Sequence, residues 1–197
     1  MTQYPFAPHI NHDGTAKPET DGEFQKRVID CLDHLDTMDR RERAERHIWL
    51  GKHQVSVNGL YWERSETIAV MQEARSSYLH GTFIATLVLA LAYIEHVIND
   101  ALPPPSPNKR SPMMSTAIKQ AREANLFTDD LLNRTTRLNN LRNPFIHRRD
   151  MDDPDTIGQR VLELKEHPRS ILEMDAREAL MVMYGFFRYS FNPHLRP

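Results

Sequence analysis

The chain has 197 residues, 40% of them apolar and 26% charged, with a formal net charge of −2. That length and balance fit one globular domain with a tail, and so small a charge excludes a protein-wide positive field, so any site for a polyanion must be local. Cys31 is the only cysteine, which excludes a disulfide framework within the chain and favours a reducing compartment, here the cytoplasm.

Residues 1–20 carry Pro5, Pro8 and Pro18 and no apolar periodicity, so they read as a flexible tail. They have no basic start followed by an apolar stretch, so they do not read as a signal peptide. From Asp21, a candidate N-cap, Phe24, Val28, Ile29, Leu32 and Leu35 recur at helical spacing. The run Asp39–Arg46 mixes charges of both signs, as a solvated helix face does. Residues 21–64 thus form an N-terminal helical extension, interrupted at Gly51–Gly59 by a loop or a short extended piece. The bundle proper is expected over 65–190. A long helical stretch covers Ser65 to Leu102, with a kink near Gly81. Its segment Phe83–Ile94 is the most apolar of the chain. At about a dozen residues it is too short to span a bilayer and is expected to be the buried core helix, so no membrane association is expected.

Five prolines between Pro103 and Pro112 bar a helix there and make a connector. A helix resumes near Met113 and ends near Asn125. Thr128, with Asp129 and Asp130 after it, marks another start, and Leu131, Leu132, Leu138 and Leu141 form that helix's inner face. Residues 150–158 read as a loop. A last helix runs from Asp175 to Tyr189, with Ala176, Ala179, Leu180, Met183, Phe186 and Phe187 inside. There is no internal repeat and no βαβ alternation, so the expected fold is an all-α bundle of four to six helices.

Two places carry an arginine, four residues, then a histidine: Arg75 with His80, and Arg142 with His147. By chance about one such pair is expected in a chain of this composition. The first lies within the long helical stretch and is read as accidental. The second ends an amphipathic helix, with Asn143 after the arginine and Phe145 and Ile146 before the histidine. On a straight helix residues five apart point about 140° away from each other. Pro144 disfavours helical geometry at Asn143, so Asn143 is expected to cap a new short helix with Pro144 as its first residue. The N–H groups of such a start, beside Arg142, suit a phosphate. Arg134, Arg137, Arg148 and Arg149 add positive charge, while Asp150, Asp152 and Asp153 oppose it. Alternatively Arg142 pairs with Glu95 or an aspartate, and Asn143 and His147 merely cap helix ends.

The segment Leu141-Arg142-Asn143-Pro144-Phe145-Ile146-His147, preceded in the chain by an apolar helix with the acidic Glu95, resembles the Arg-x4-6-His motif of HEPN domains. The resemblance covers roughly Ser65 to Tyr189. It implies a helical bundle and a metal-independent endoribonuclease that needs no cofactor. By that resemblance, His147 is the general acid and base, Arg142 holds the scissile phosphate, and Asn143 positions the ribose or the histidine. Arg137, Arg148, Arg149 and Glu95 are the residues expected around the RNA substrate. The resemblance further implies a homodimer whose two motifs share one cleft, and a toxin–antitoxin or other defence setting with an antitoxin or other protein partner. Some HEPN toxins carry a tyrosine two residues after the histidine that a partner modifies; here that position is Arg149. Neither His47 with His53 nor His80 with His96 has the spacing of a metal site, and no metal is expected. Two other classes remain: a catalytically silent HEPN-like module that binds nucleotide, RNA or protein, and a helical interaction protein with no nucleic-acid role.

Overall fold

A computed structural model describes residues 13, 15, 18–53, 64–104 and 111–191. Most of the expected tail, residues 54–59 of the expected break and residues 105–110 of the proline connector lie outside the described residues. Among the described residues there are seven helices and no strand. They are α1 (Asp21–His53), α2 (Ser65–Leu79), α3 (Phe83–Ala101), α4 (Met114–Glu123), α5 (Asp129–Ile146), α6 (Ile157–Leu164) and α7 (Pro168–Phe191). The chain divides into two units, one ending at Ile48 and the other beginning at Trp49.

In the first unit α1 starts one residue earlier than the expected cap implies, because Thr20 and not Asp21 closes it. The Glu23 N–H donates to Thr20 Oγ1 at 3.3 Å, and the Thr20 N–H donates to Glu23 Oε2 at 2.9 Å. This reciprocal box satisfies two donors that the helix leaves open. The charged run is a face of ion pairs within the helix: Asp36 with Arg43 at 2.5 Å, Asp39 with Arg46 at 3.0 Å, Glu45 with Arg41 at 3.1 Å. The Arg43 guanidinium holds the Asp36 carboxyl below the usual carboxylate range. The apolar positions of this unit differ from those of a core helix, since Phe24, Ile29, Leu32 and Leu35 are 41–57% exposed.

In the second unit α3 is the centre. Leu87, Ala90, Leu91, Tyr93 and Ile94 are at most 1% exposed, and α3 packs on α2, α7, α5 and α4. At 19 residues it is longer than its apolar run alone indicates, long and apolar enough to cross a membrane, with half of that stretch buried inside the bundle. The expected kink at Gly81 is a complete break. Gly81 takes φ 72°, its N–H donates to the Tyr78 carbonyl at 3.0 Å, and the Thr82 N–H donates to the Ser77 carbonyl at 2.9 Å. That pair of bonds closes α2 in the manner glycine permits. Gly51, expected in a break, lies inside α1 instead, and the Nδ1 of His53 lies 2.7 Å from the Trp49 carbonyl oxygen, which can only accept from it. Trp49 packs on Tyr78 with ring centroids 5.1 Å apart, and Arg177 both covers Trp49 and donates to Tyr78 Oη at 2.9 Å.

The inner faces expected for α5 and α7 are buried, from Leu131 through Leu141 and from Ala176 through Phe187. Gly185 lets the two helices approach, because a Cβ there would lie 2.8 Å from Leu131 Cδ1. Two features differ from expectation. Helix α7 begins at Pro168, seven residues before Asp175, where proline suits a first turn that has no N–H to satisfy. Helix α6 occupies residues read as loop and beyond. Its one buried side chain is Arg160, which grips Asp175 of α7 through two bonds of 2.5 and 2.7 Å.

That buried pair generates a prediction. Asp175→Ala strands the Arg160 charge and is expected to lower the unfolding free energy by about 3–5 kcal/mol in urea titration. Replacing both partners together, Arg160→Met with Asp175→Leu, is expected to recover most of that loss, and a double variant as unstable as the single one would contradict this account.

Candidate functional site

Helix α5 delivers the site. Thr128 caps it, its Oγ1 accepting the Leu131 N–H at 3.4 Å, and Asp129 and Asp130 meet the positive end of its dipole. Four buried leucines fix its inner side, so the outward rotation of every other residue is set. The helix then runs straight through Pro144 to Ile146. The expected new helix capped by Asn143 does not form, and neither does the backbone phosphate nest it would supply. The physical reason is position. A proline in the last turn deprives only the Asn140 carbonyl of its usual donor, a carbonyl already near the open end. The break comes at His147, which takes extended geometry (φ −133°, ψ 133°) while its N–H still donates to the Asn143 carbonyl at 2.8 Å.

Arg142 is half-buried, as is Asn143, whereas His147, Arg148 and Arg149 are exposed. Among the described residues Arg142 forms no ion pair, so the alternative of a pair with Glu95 or an aspartate is not what α5 adopts. Its Nε is fully buried without a hydrogen-bond partner. One turn earlier, Asn139 Oδ1 is in the same condition. A donor and an acceptor three residues apart lie on one side of a helix, and buried polar atoms without partners are uncommon in native proteins. Asn139 escaped the sequence reading because nothing in the motif includes it; its place three residues before Arg142 is the signal that would have found it.

The surrounding charges sort into two groups. Arg134, expected to add to the local positive charge, is bound on both sides: its Nε and Nη2 donate to Glu178 of α7 at 2.7 and 3.1 Å, and Asp130 lies at 3.6 Å. Glu178 raises the Arg134 pKa above its ordinary value. Arg137, Arg148 and Arg149 are exposed and form no ion pair among the described residues. Glu95 is not brought to this cluster. It lines a cleft of about 630 Å³ between α2 and α3, with Glu66, His96 and Asn99, and no described α5 residue lines that cleft. Among the described residues no group of three or more His, Cys, Asp or Glu could hold a metal.

The second Arg-x4-His pair is also at a helix end, not within a helix as expected. His80 is the residue that follows α2. Its ring is tied down, Nδ1 lying 2.8 Å from the Ser76 carbonyl. Arg75 lies near Tyr184, whose phenol burial pushes up to about 12 against the opposing charge of that arginine. Spacing and position are therefore shared by both pairs. They differ in what the side chains touch, since the ring of His147 has no partner among the described residues.

Comparison with known proteins gives no match: no family model, no curated protein and no solved structure.

A functional and a structural arginine predict different stabilities. Because the Arg142 guanidinium pairs with nothing described, Arg142→Met is expected to keep the unfolding free energy within about 1 kcal/mol of the parent by urea titration. A loss of several kcal/mol, the signature of a broken buried ion pair, would mean that Arg142 holds the fold together.

Proposed function

We propose that the chain is a metal-independent endoribonuclease of HEPN type, acting on single-stranded RNA as a two-fold dimer in which two α5 ends face one cleft. The observation that carries this reading is Arg142: a guanidinium with a buried, unpartnered Nε, next to Asn143 and five residues before an exposed, extended His147. Among the described residues no carboxylate pairs with Arg142, and a guanidinium offers a phosphate two parallel donors.

The chemistry is a transesterification. The 2′-OH of the target nucleotide loses its proton to a His147 imidazole as its oxygen bonds to phosphorus. The bond from phosphorus to the 5′-oxygen of the next nucleotide breaks, and that oxygen takes a proton from a histidine. The products are a 2′,3′-cyclic phosphate and a 5′-hydroxyl. Histidine both accepts and returns protons near neutral pH, which suits both roles. Arg142 counters the charge that grows on the phosphate oxygens. Asn143 orients the ribose or the imidazole, and Arg137, Arg148 and Arg149 draw the flanking backbone in. The setting is a cytoplasmic toxin–antitoxin or defence system, with an antitoxin or similar protein restraining the nuclease.

A second reading is a catalytically silent HEPN-like module that binds nucleotide, RNA or a protein partner. The unbroken α5 favours it, because a helix that continues through Pro144 offers no backbone N–H nest to a phosphate.

Purified protein is expected to cut single-stranded RNA in EDTA. His147→Ala is expected to abolish cleavage, and Arg142→Lys to remove most of it, because an ammonium lacks the planar two-pronged contact. His80→Ala is expected to leave cleavage intact. Equal losses at His80 and His147 would show that the α5 pair was chosen wrongly. Binding of RNA without cleavage would select the silent module.

A further inference from the structure

The cleft between α2 and α3 takes no part in the α5 site. Its α3 wall is one stripe of the helix, Ala92, Glu95, His96 and Asn99, at steps of 3, 1 and 3 residues. With Asp100 after them, these residues span about 12 Å along the helix axis. The opposite wall is the first turn of α2, with Glu66 and Thr67, and Arg64 before it. Thr67 Oγ1 and His96 Nδ1 lie 3.1 Å apart, so a hydrogen bond ties the two walls together. The volume of about 630 Å³ is that of a small-molecule site.

The charge of the lining says what kind of molecule fits. Three carboxylates, Glu66, Glu95 and Asp100, line the cleft against one guanidinium, Arg64. Arg64 pairs with Asp100 at 3.3 Å, which leaves Glu66 and Glu95 without an ion pair among the described residues. Glu95 is half-buried, and a cleft of one sign between low-dielectric walls concentrates ions of the other and repels phosphate. Among the described residues no three His, Cys, Asp or Glu groups gather closely enough to hold a metal ion. The negative charge is therefore spread out, and several separated cationic groups match it better than one point charge. Ala92, Leu102 and Pro104 add apolar surface to the same lining. Asn99 adds an unmet acceptor: its Oδ1 is buried without a hydrogen-bond partner, which is uncommon. A turn of the amide about χ2, a soft torsion, brings that oxygen toward the cleft.

We infer that this cleft binds a linear aliphatic polyamine, with ammonium groups on Glu66 and Glu95, a further N–H donated to Asn99 Oδ1, and methylenes against Ala92, Leu102 and Pro104. An ammonium on an ionised carboxylate makes one of the stronger hydrogen bonds available to a protein. The site uses none of Arg142, Asn143 and His147, so it stands apart from the nuclease reading.

The test is isothermal titration calorimetry of the full chain with spermidine at fixed ionic strength. The parent is expected to bind one equivalent. Glu66→Gln and Glu95→Gln are each expected to weaken binding about tenfold or more, the loss of one charge-assisted hydrogen bond. Glu66 is exposed, so Glu66→Gln keeps the fold even if Glu95→Gln does not. Glu163→Gln, exposed on α6, is expected to bind as the parent does. Butylamine, with a single ammonium, is expected to bind at least about tenfold more weakly than spermidine. His147→Ala is expected to bind spermidine unchanged, so loss of cleavage and loss of binding are read separately. No uptake of spermidine, an equal loss in Glu163→Gln, butylamine binding as tightly as spermidine, or magnesium displacing spermidine at equal concentration would each overturn the inference.

Discussion

The burial of α3 is the constraint from which the arrangement of the bundle follows. Its residues 83–98 carry more apolar surface than one neighbour can cover, so α2 and α7 take the largest shares while α4 and α5 close the remainder. Each covering helix must end in a defined way where it leaves α3. Helix α2 ends with the left-handed Gly81 and α4 with the left-handed Asn125; α6, which packs on α7, likewise ends with the left-handed Lys165. Helix α5 ends without such a device, in an extended His147.

This difference shapes the site. A helix closed by a left-handed residue folds its own carbonyls back into hydrogen bonds and leaves little there for chemistry. The end of α5 keeps its groups open. Arg142 is half-buried, and among the described residues it is not tied by a counter-ion as Arg134 and Arg160 are. An arginine without an internal counter-ion can meet an anion without first breaking an ion pair. The Arg75 and His80 pair differs at its histidine, whose imidazole is fixed to the Ser76 carbonyl.

Much of this was legible in the sequence and the rest had physical reasons not to be. The inner faces of α5 and α7 follow from apolar spacing, because burial selects on that spacing directly. The cap at Thr128 is legible for the same local reason. Helix α6 escaped because a single ion pair, Arg160 with Asp175, anchors it, and apolar periodicity has nothing to report there. The early start of α7 escaped because Pro168 reads as a breaker, although a proline in a first turn breaks nothing. Pro144 was read as a break for the converse reason: so close to the end of a helix, its missing donor costs little. At the site, Arg142, Asn143 and His147 came from the Arg-x4-His spacing together with its setting at the end of an amphipathic helix. The capture of Arg134 by Glu178, 44 residues away, is a tertiary contact that no local pattern encodes, and Glu95, which the resemblance placed around the substrate, lines a cleft that no described α5 residue lines.

The central claim is that the open end of α5 receives RNA phosphate. The most direct measurement is a nuclear magnetic resonance titration of the full chain with a short RNA whose 2′-hydroxyls are replaced by hydrogen, so that it binds without being cut. The account predicts shifts concentrated at Asn139, Arg142, Asn143 and His147, including the Arg142 Nε–H, with the end of α2 at Arg75 and His80 unchanged. Shifts centred on the cleft beside Glu95 and His96, with the end of α5 silent, would contradict it.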